Sequence, residues 1–272
     1  MKKPKLIICD IDGTLVVKHQ KLTPRTKKII DDLRSDGVYF GVASGRPLFQ
    51  IRCSMKMWGY HEDFDVMIGL NGCSLWDNLN KQESSYFIMK KEYIKETVDL
   101  MRPFDSNPSI YLNGGQVFLK EDETMKHYKR IGDIPIIKAN SVDDLYAQDN
   151  AKIMFRIDEN QMAEAENWIA EHPNENFAGF KTCPDLLEFS DPRANKAYAL
   201  IRFCEAHKID LSEVIAFGDT SNDNEMIQAA GLGVCLRNGS DDTKAVADVI
   251  TEQACDDEGW ADFMEKNIRE WR

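Results

Sequence analysis

The sequence predicts an α/β protein: a parallel-sheet core built from the two ends of the chain, interrupted by an inserted α+β segment. Two observations carry this. Near both termini, short apolar runs alternate with amphipathic helical stretches, the pattern of strands buried between two helical layers. The middle, roughly residues 79 to 183, instead places strand-like runs back to back. At 272 residues there is room for one large or two modest domains.

"LIIC", residues 6–9, is the first strand. Its apolar run is shorter than the core of about 7 to 15 residues in a signal peptide, so it is not read as a targeting segment. A helix follows in "TPRTKKIIDDLRSDG", with Thr23 as N-cap, Pro24 in the first turn and Gly37 beyond the last. "VYFGVAS" is a strand, "LFQIRCSMKMWG" a helix and "DVMIGL" a strand. In the middle come a strand at "SSYFIM", a helix at "KEYIKETVDLMRPF", and a hairpin at "SIYLNGGQVFLK" turning on its Asn-Gly-Gly. A helix at "SVDDLYAQ", a strand at "KIMFRI", a helix at "NQMAEAENWIAEH" and strands at "FAGFKT" and "LLEFS" complete the insertion. The core resumes with helix "NKAYALIRFCEAHKI", strand "EVIAFGD", helix "NDNEMIQAAG" and strand "LGVCL".

Composition excludes several classes. A balance of 43% hydrophobic and 29% charged residues belongs to a globular protein, and no segment reaches the roughly 20 apolar residues of a membrane span. The net charge of −12 argues against a general affinity for nucleic acid. The seven cysteines are odd in number and never in C-x-x-C spacing, which predicts reduced thiols in a cytoplasmic protein without structural zinc. The five histidines (His19, His61, His127, His172, His207) lie far apart and are read as surface or packing residues.

The chemistry begins at "DIDG". Asp12-Gly13 alone reads as a hairpin turn between "LIICDI" and "TLVV". That reading leaves Asp10 as a carboxylate between Cys9 and Ile11 in a buried strand, which is costly unless paired, and a second acid nearby adds to the cost. A divalent cation would reverse the argument, and parallel sheets bind ligands beyond the carboxyl ends of their strands. "EVIAFGDTSND" supplies further acids, Asp219 and Asp223, with Asn222 beside them, although a turn and helix N-cap also accounts for them. Hard oxygen donors without histidine or thiol suit Mg²⁺. Ser44, Gly45 and Arg46 end a third strand, as a phosphate-oxygen site or a polar loop. Lys196 opens a helix against the dipole, so it is either solvated or faces a specific anion.

Taken in order, "DIDGTL", "SGR", Lys196 and "GDTSND" resemble the four motifs of the haloacid dehalogenase superfamily of phosphohydrolases. The insertion between the second and third is similar to the cap of the Cof-like sugar-phosphatase subfamily. "IGLNGCSLWD", with Asn71-Gly72, and the closing "LGVCLRNGSDDTKAVADVITEQACDDEGW" extend the resemblance over nearly the whole chain. Ala197, Cys235 and Leu236 depart from the usual residues and argue against close assignment to one member.

The resemblance implies a Rossmann-like core at 1–80 and 186–272 and a substrate-selecting α+β cap at 81–185. It implies a phosphatase with Asp10 as nucleophile and Asp12 as acid and base. Mg²⁺ would be held by Asp10, Asp219 and the Asp12 carbonyl, and the phosphoryl oxygens by Ser44, Lys196, Asn222 and the Ile11 and Gly45 amides. Asp223 would act from behind, through Lys196 or metal-bound water, with Arg46 and Asn71 as candidate substrate contacts. The expected partner is a small phosphorylated metabolite, sugar phosphates first, with pyridoxal phosphate and flavin mononucleotide as alternatives. A phosphosugar mutase shares the first motif but has a longer glycine-rich spacing before "ND". A non-catalytic metabolite-binding protein would not need the four charged positions intact.

Overall fold

The computed structural model describes residues 3–17, 20–131, 134–268 and 271. His19 lies outside them. Of the other histidines, His61, His127 and His172 are exposed, and His207 is half-buried against Asp77.

The chain begins with β1 (Leu6–Cys9), α1 (Pro24–Ser35), β2 (Tyr39–Ala43), α2 (Leu48–Met57), β3 (Val66–Gly69), β4 (Ser74–Asp77) and β5 (Gln82–Ser85). Next come α3 (Lys91–Leu100), β6 (Ser106–Leu112), β7 (Gly115–Phe118), α4 (Glu123–Ile131), β8 (Ile136–Lys138), β9 (Lys152–Ile157), α5 (Met162–Glu171), β10 (Ala178–Cys183) and β11 (Leu186–Ser190). It ends with α6 (Lys196–His207), β12 (Val214–Gly218), α7 (Asn224–Ala229), β13 (Leu232–Cys235), α8 (Asp241–Val246), β14 (Val249–Ile250) and α9 (Gly259–Ile268).

Two compact units result: Met1–Tyr86 with Asn195–Arg272, and Phe87–Ala194. Among the described residues, the first holds an eight-stranded sheet in the order β14-β13-β12-β1-β2-β3-β4-β5. It is parallel from β14 to β3, and β4 and β5 add an antiparallel edge. From β1 the chain winds to β2 and β3 on one side and later returns to β12 and β13 on the other. That reversal opens a crevice at the carboxyl ends of β1, β2 and β12, the place where such sheets bind ligands.

Every residue of β1 is fully buried because both faces are covered. Ile7 and Cys9 pack in a cluster with Ile29, Ile30 and Leu33 of α1, Ile51 of α2 and Trp260 of α9. Leu6 and Ile8 pack in a second with Leu200 and Phe203 of α6 and Met226 of α7. Burying each such Leu or Ile stabilises by roughly 1.5–3 kcal/mol, which fixes the strand that carries Asp10.

The second unit holds a six-stranded sheet, β10-β11-β9-β6-β7-β8. Ile153, Phe155 and Ile157 of β9 and Leu187 and Phe189 of β11 pack with Ile94 of α3 and Met162 and Ala165 of α5. Strand side chains alternate between faces, so Lys152, Met154 and Glu188 lie on the opposite one. The β6–β7 hairpin turns at Asn113 and Gly114, with φ of 50° and 75°, the two left-handed residues of a tight two-residue turn.

The structure changes several local expectations. "TLVV" forms no strand: the Leu15 and Val16 amides donate back to the Ile11 carbonyl, and the isolated Asp12–Val16 bridge is parallel, so no hairpin forms. The strand expected at "SSYFIM" lies earlier, in β5, because Phe87 takes φ 52° and breaks the extended run. "SVDDLYAQ" is a 3₁₀ segment, Val142–Tyr146, capped by Ser141. The units divide at Tyr86/Phe87 and Ala194/Asn195 rather than at 80/81 and 185/186, since β5 pairs with β4 and β11 with β9.

Candidate active site

Asp10 stands one residue beyond β1, its amide donating to the Phe217 carbonyl so that it continues the pairing with β12. Asp219 follows β12 directly and Ser44 follows β2, which brings three strand ends together. Lys196 is the first residue of α6, whose N-cap Asn195 accepts from the Tyr198 amide. The lysine is fully buried, and its Nζ donates to Asp10 Oδ1 and to Asp223 Oδ1, each at 2.6 Å. The two alternatives left open by the sequence are thereby decided: Lys196 faces specific anions.

Three carboxylates meet here. One ligand atom each from Asp10, Asp219 and Asp223 lies within 4.8 Å of the others, and all three residues are buried. Burial pushes the Asp10 carboxyl well above the usual range, Lys196 pulls it down, and Asp223 and Asp219 push it up again. Burial raises Asp219 to about 6, against the hydroxyl of Thr14, which donates to its Oδ1 at 2.6 Å. Burial also opposes the charge on Lys196, but Asp10 and Asp223 outweigh it and raise the ammonium above its ordinary value.

One ammonium among three carboxylates leaves a negative excess that a divalent cation would balance. The donors are not equivalent. Asp223 Oδ1 is taken by Lys196, and its Oδ2 accepts from the Asp219 and Thr220 amides at 3.0 and 3.1 Å. Asp10 and Asp219 are therefore the better cation ligands, and Asp223 holds Lys196. The donor set is hard oxygen, as a divalent cation such as Mg²⁺ or Mn²⁺ requires.

Gly13 closes the crevice around Asp219. Its φ of +91° suits glycine, and a Cβ there would stand 2.4 Å from Asp219 Oδ2. The Gly13 carbonyl accepts from Asn238 Nδ2, which ties this loop to the segment after β13.

The loops after β2 and β3 are stitched to each other. The Leu70 amide donates to the Arg46 carbonyl and the Asn71 amide to the Ser44 carbonyl. Leu70 and Asn71 both take left-handed conformations, φ 52° and 54°, an unusual choice for a bulky leucine. The turn places Asn71 Oδ1 to accept from Asn222 Nδ2 at 3.1 Å. Ser44, Asn71 and Asn222 thus lie along one wall, next to Asp223. Ile11 is wholly buried, and Gly45 sits between Ser44 and Arg46 at the mouth of the loop.

The Asp12 carboxylate does not join the acidic trio. Both its oxygens accept from Arg46, whose Nη1 also donates to Ser54 Oγ at 2.8 Å. The sequence set Arg46 down as a candidate substrate contact, and here its guanidinium is occupied by Asp12 and Ser54.

Residues 7–264 match the family of haloacid dehalogenase-like hydrolases. The chain belongs to this family. A 5-amino-6-(5-phospho-D-ribitylamino)uracil phosphatase of Bacillus subtilis is 28% identical to it over 273 residues, spanning 98% of this chain and 95% of the relative. Among solved structures, a haloacid dehalogenase-like hydrolase from Bacteroides thetaiotaomicron is similar with a TM-score of 0.85 at 24% identity, covering 97% of this chain and 99% of that one. A subclass IIB sugar phosphatase is similar with a TM-score of 0.81 at 20% identity, covering 96% and 98%. The hydrolase fold expected from the four motifs, with its interrupted parallel sheet, is the one this chain adopts.

Sequence reasoning passed over Thr14, Ser54 and Asn238. Thr14 lies inside the quoted "DIDGTL", and its signal was there: a hydroxyl two residues past Asp12, in a loop that must approach Asp219. Ser54 carried none, since nothing in a helix sequence announces that one serine receives an arginine from a distant loop.

Proposed function

We propose that this hydrolase is a Mg²⁺-dependent phosphatase of small phosphorylated metabolites, sugar phosphates first among them, acting through an aspartyl-phosphate on Asp10. The observation that carries the reading is Lys196, fully buried between Asp10 and Asp223 with Asp219 beside them. A group so placed holds the nucleophile still and offers positive charge to an incoming phosphoryl group.

A carboxylate oxygen of Asp10 attacks phosphorus, and the bond from phosphorus to the leaving oxygen breaks with its electron pair going to that oxygen. Asp12, protonated for this step, gives the departing alcohol its proton. Water then attacks the phosphorus of the aspartyl-phosphate and loses a proton to Asp12. The bond to Asp10 breaks, which restores its carboxylate and releases inorganic phosphate. Ser44, Lys196, Asn222 and the Ile11 and Gly45 amides hold the phosphoryl oxygens, and Asp223 keeps Lys196 in place. Mg²⁺, held by Asp10, Asp219 and the Asp12 carbonyl, supplies charge neutralisation when bound.

Residues 87–194 act as the cap that selects the leaving group. Two relatives support the substrate class, one named for a phosphorylated ribityl compound and one for sugar phosphates; both describe phosphate esters of polyhydroxylated alcohols. The test is Mg²⁺-dependent phosphate release from p-nitrophenyl phosphate and from a panel of hexose phosphates, pyridoxal phosphate and flavin mononucleotide, ranked by kcat/KM. Asp10→Asn should lower every rate by at least about 1,000-fold. Turnover surviving that change, or isomerised hexose phosphate in place of free phosphate, would sink the reading.

A further inference from the structure

We infer that Arg46 is a positioning residue for the proton-transferring Asp12, and not a contact for the substrate phosphate; the inference rests on the phosphatase reading above. Arg46 Nη2 donates to Asp12 Oδ1 and Oδ2, each at 2.6 Å, and Nε donates to Oδ2 at 3.0 Å. The fork is itself fixed from behind, since Nη1 donates to Ser54 Oγ on α2, and Ser54 is buried. Arg46 and Asp12 side chains are 15% and 26% exposed, so the pair is largely withdrawn from water and its geometry is costly to lose.

Asp12 needs such a support. It sits in a loop between Ile11 and Gly13, and Gly13 has the left-handed φ of +91°. A carboxylate on that loop takes its orientation from a side-chain anchor. The planar five-donor guanidinium supplies one, and a lysine, as a point charge, would not. Arg46 is placed in turn by backbone: its own amide donates to Ser44 Oγ at 3.3 Å, and its carbonyl accepts from the Leu70 amide at 2.9 Å. The loop that walls the crevice therefore also aims Asp12.

A residue that aims the proton donor and a residue that binds the phosphoryl group differ in one measurable way. Alkoxide leaving groups need the proton, whereas 2,4-dinitrophenolate departs without it. The experiment measures kcat/KM, which reports steps only through release of the leaving group, for Mg²⁺-loaded enzyme on substituted phenyl phosphates from dinitrophenyl to phenyl and on an alkyl phosphate. Arg46→Met should cost about 100-fold or more on the alkyl ester and less than about fivefold on the dinitrophenyl ester, within the range general acids supply. Asp12→Asn should tilt the series in the same sense, and Arg46→Met added to it should tilt it no further. Arg46→Lys should keep the tilt of Arg46→Met, because the fork and not the charge is what positions. Ser54→Ala, which removes one anchor and leaves Arg46 in place, should tilt the series less; it decides the matter if Arg46→Met does not fold. A parallel loss across all leaving groups, or full recovery with lysine, overturns the inference while leaving the phosphatase reading intact. Absence of turnover in the unaltered enzyme overturns both.

Discussion

Thr14 spends its hydroxyl on Asp219, donating to Oδ1 at 2.6 Å. Groups that orient a metal ligand matter nearly as much as the ligand. Thr14→Val should weaken Mg²⁺ binding by about 10- to 100-fold, read from the Mg²⁺ concentration that gives half the maximal rise in Tm. An unchanged midpoint would make Thr14 a packing residue. Asp219 adds a pH dependence with a definite sign. Its carboxyl lies at about 6 in the folded protein, against about 3.9 in an unfolded chain. The folded state thus holds the proton more tightly, so without metal this group's contribution to stability falls as pH rises from about 4 through about 6 and is level above. On the proposed function Mg²⁺ takes the ionised form, so it should raise Tm clearly at about pH 7.5 and much less at about pH 5. Equal shifts at both would remove Asp219 from the binding account. Individual acids were legible in the sequence because a buried strand ending in "DID" demands compensation. The residues that support the site from further off were not, since Ser54 and Asn238 are ordinary polar residues until the fold brings them to Arg46 and Gly13.

Elements were legible where pattern and punctuation agreed. β1 and β12 are continuous apolar runs each followed by an acid, and α1 has Thr23 accepting from the Thr26 amide, Pro24 at its start and Gly37 past its end. The reading failed where backbone conformation overrode composition, as at Phe87, whose φ of 52° ends the run that "SSYFIM" suggests. It also missed α4, a nine-residue helix with few apolar residues. α6 shows what an element does for the site. Its N-cap Asn195 is buttressed by Gly72, where φ is +99° and a Cβ would meet the Asn195 carbonyl at 2.0 Å. The cap sets the first turn and so the origin of the Lys196 side chain. Asn195→Ala should cost about 1 kcal/mol, a fall of roughly 2–4 °C in Tm. It should lower kcat more than KM if the shifted first turn displaces Lys196 from Asp10; an activity that tracks only the Tm would assign Asn195 to stability alone.

At the scale of the molecule, one chain builds two cores, with the insertion leaving after Tyr86 and returning at Asn195, next to Lys196. That an insertion interrupts the sheet was legible from back-to-back strands. Which of its side chains share a face was not, because register depends on β6, β9 and β11 pairing as they do. Those pairings gather Ser109, Tyr111, Gln116, Lys152 and Glu188 on the sheet face opposite α3 and α5, where Gln116 donates to Ser109 and Lys152 donates to Glu188 at 2.9 Å. The Lys152 and Glu188 side chains are only 4% and 9% exposed. Such a pair is a poor device for stability, since two apolar residues of similar volume would do as well. Glu188→Leu alone should destabilise by about 3–5 kcal/mol by removing the carboxylate that balances a buried ammonium. Lys152→Met with Glu188→Leu should restore most of that stability. If residues 87–194 select the leaving group, the double variant should nonetheless lower kcat/KM for polyhydroxylated phosphate esters relative to p-nitrophenyl phosphate by about tenfold or more, because hydroxyls lose their buried partners. An unchanged ratio in a stable double variant would leave the pair as architecture and move selection elsewhere in the insertion.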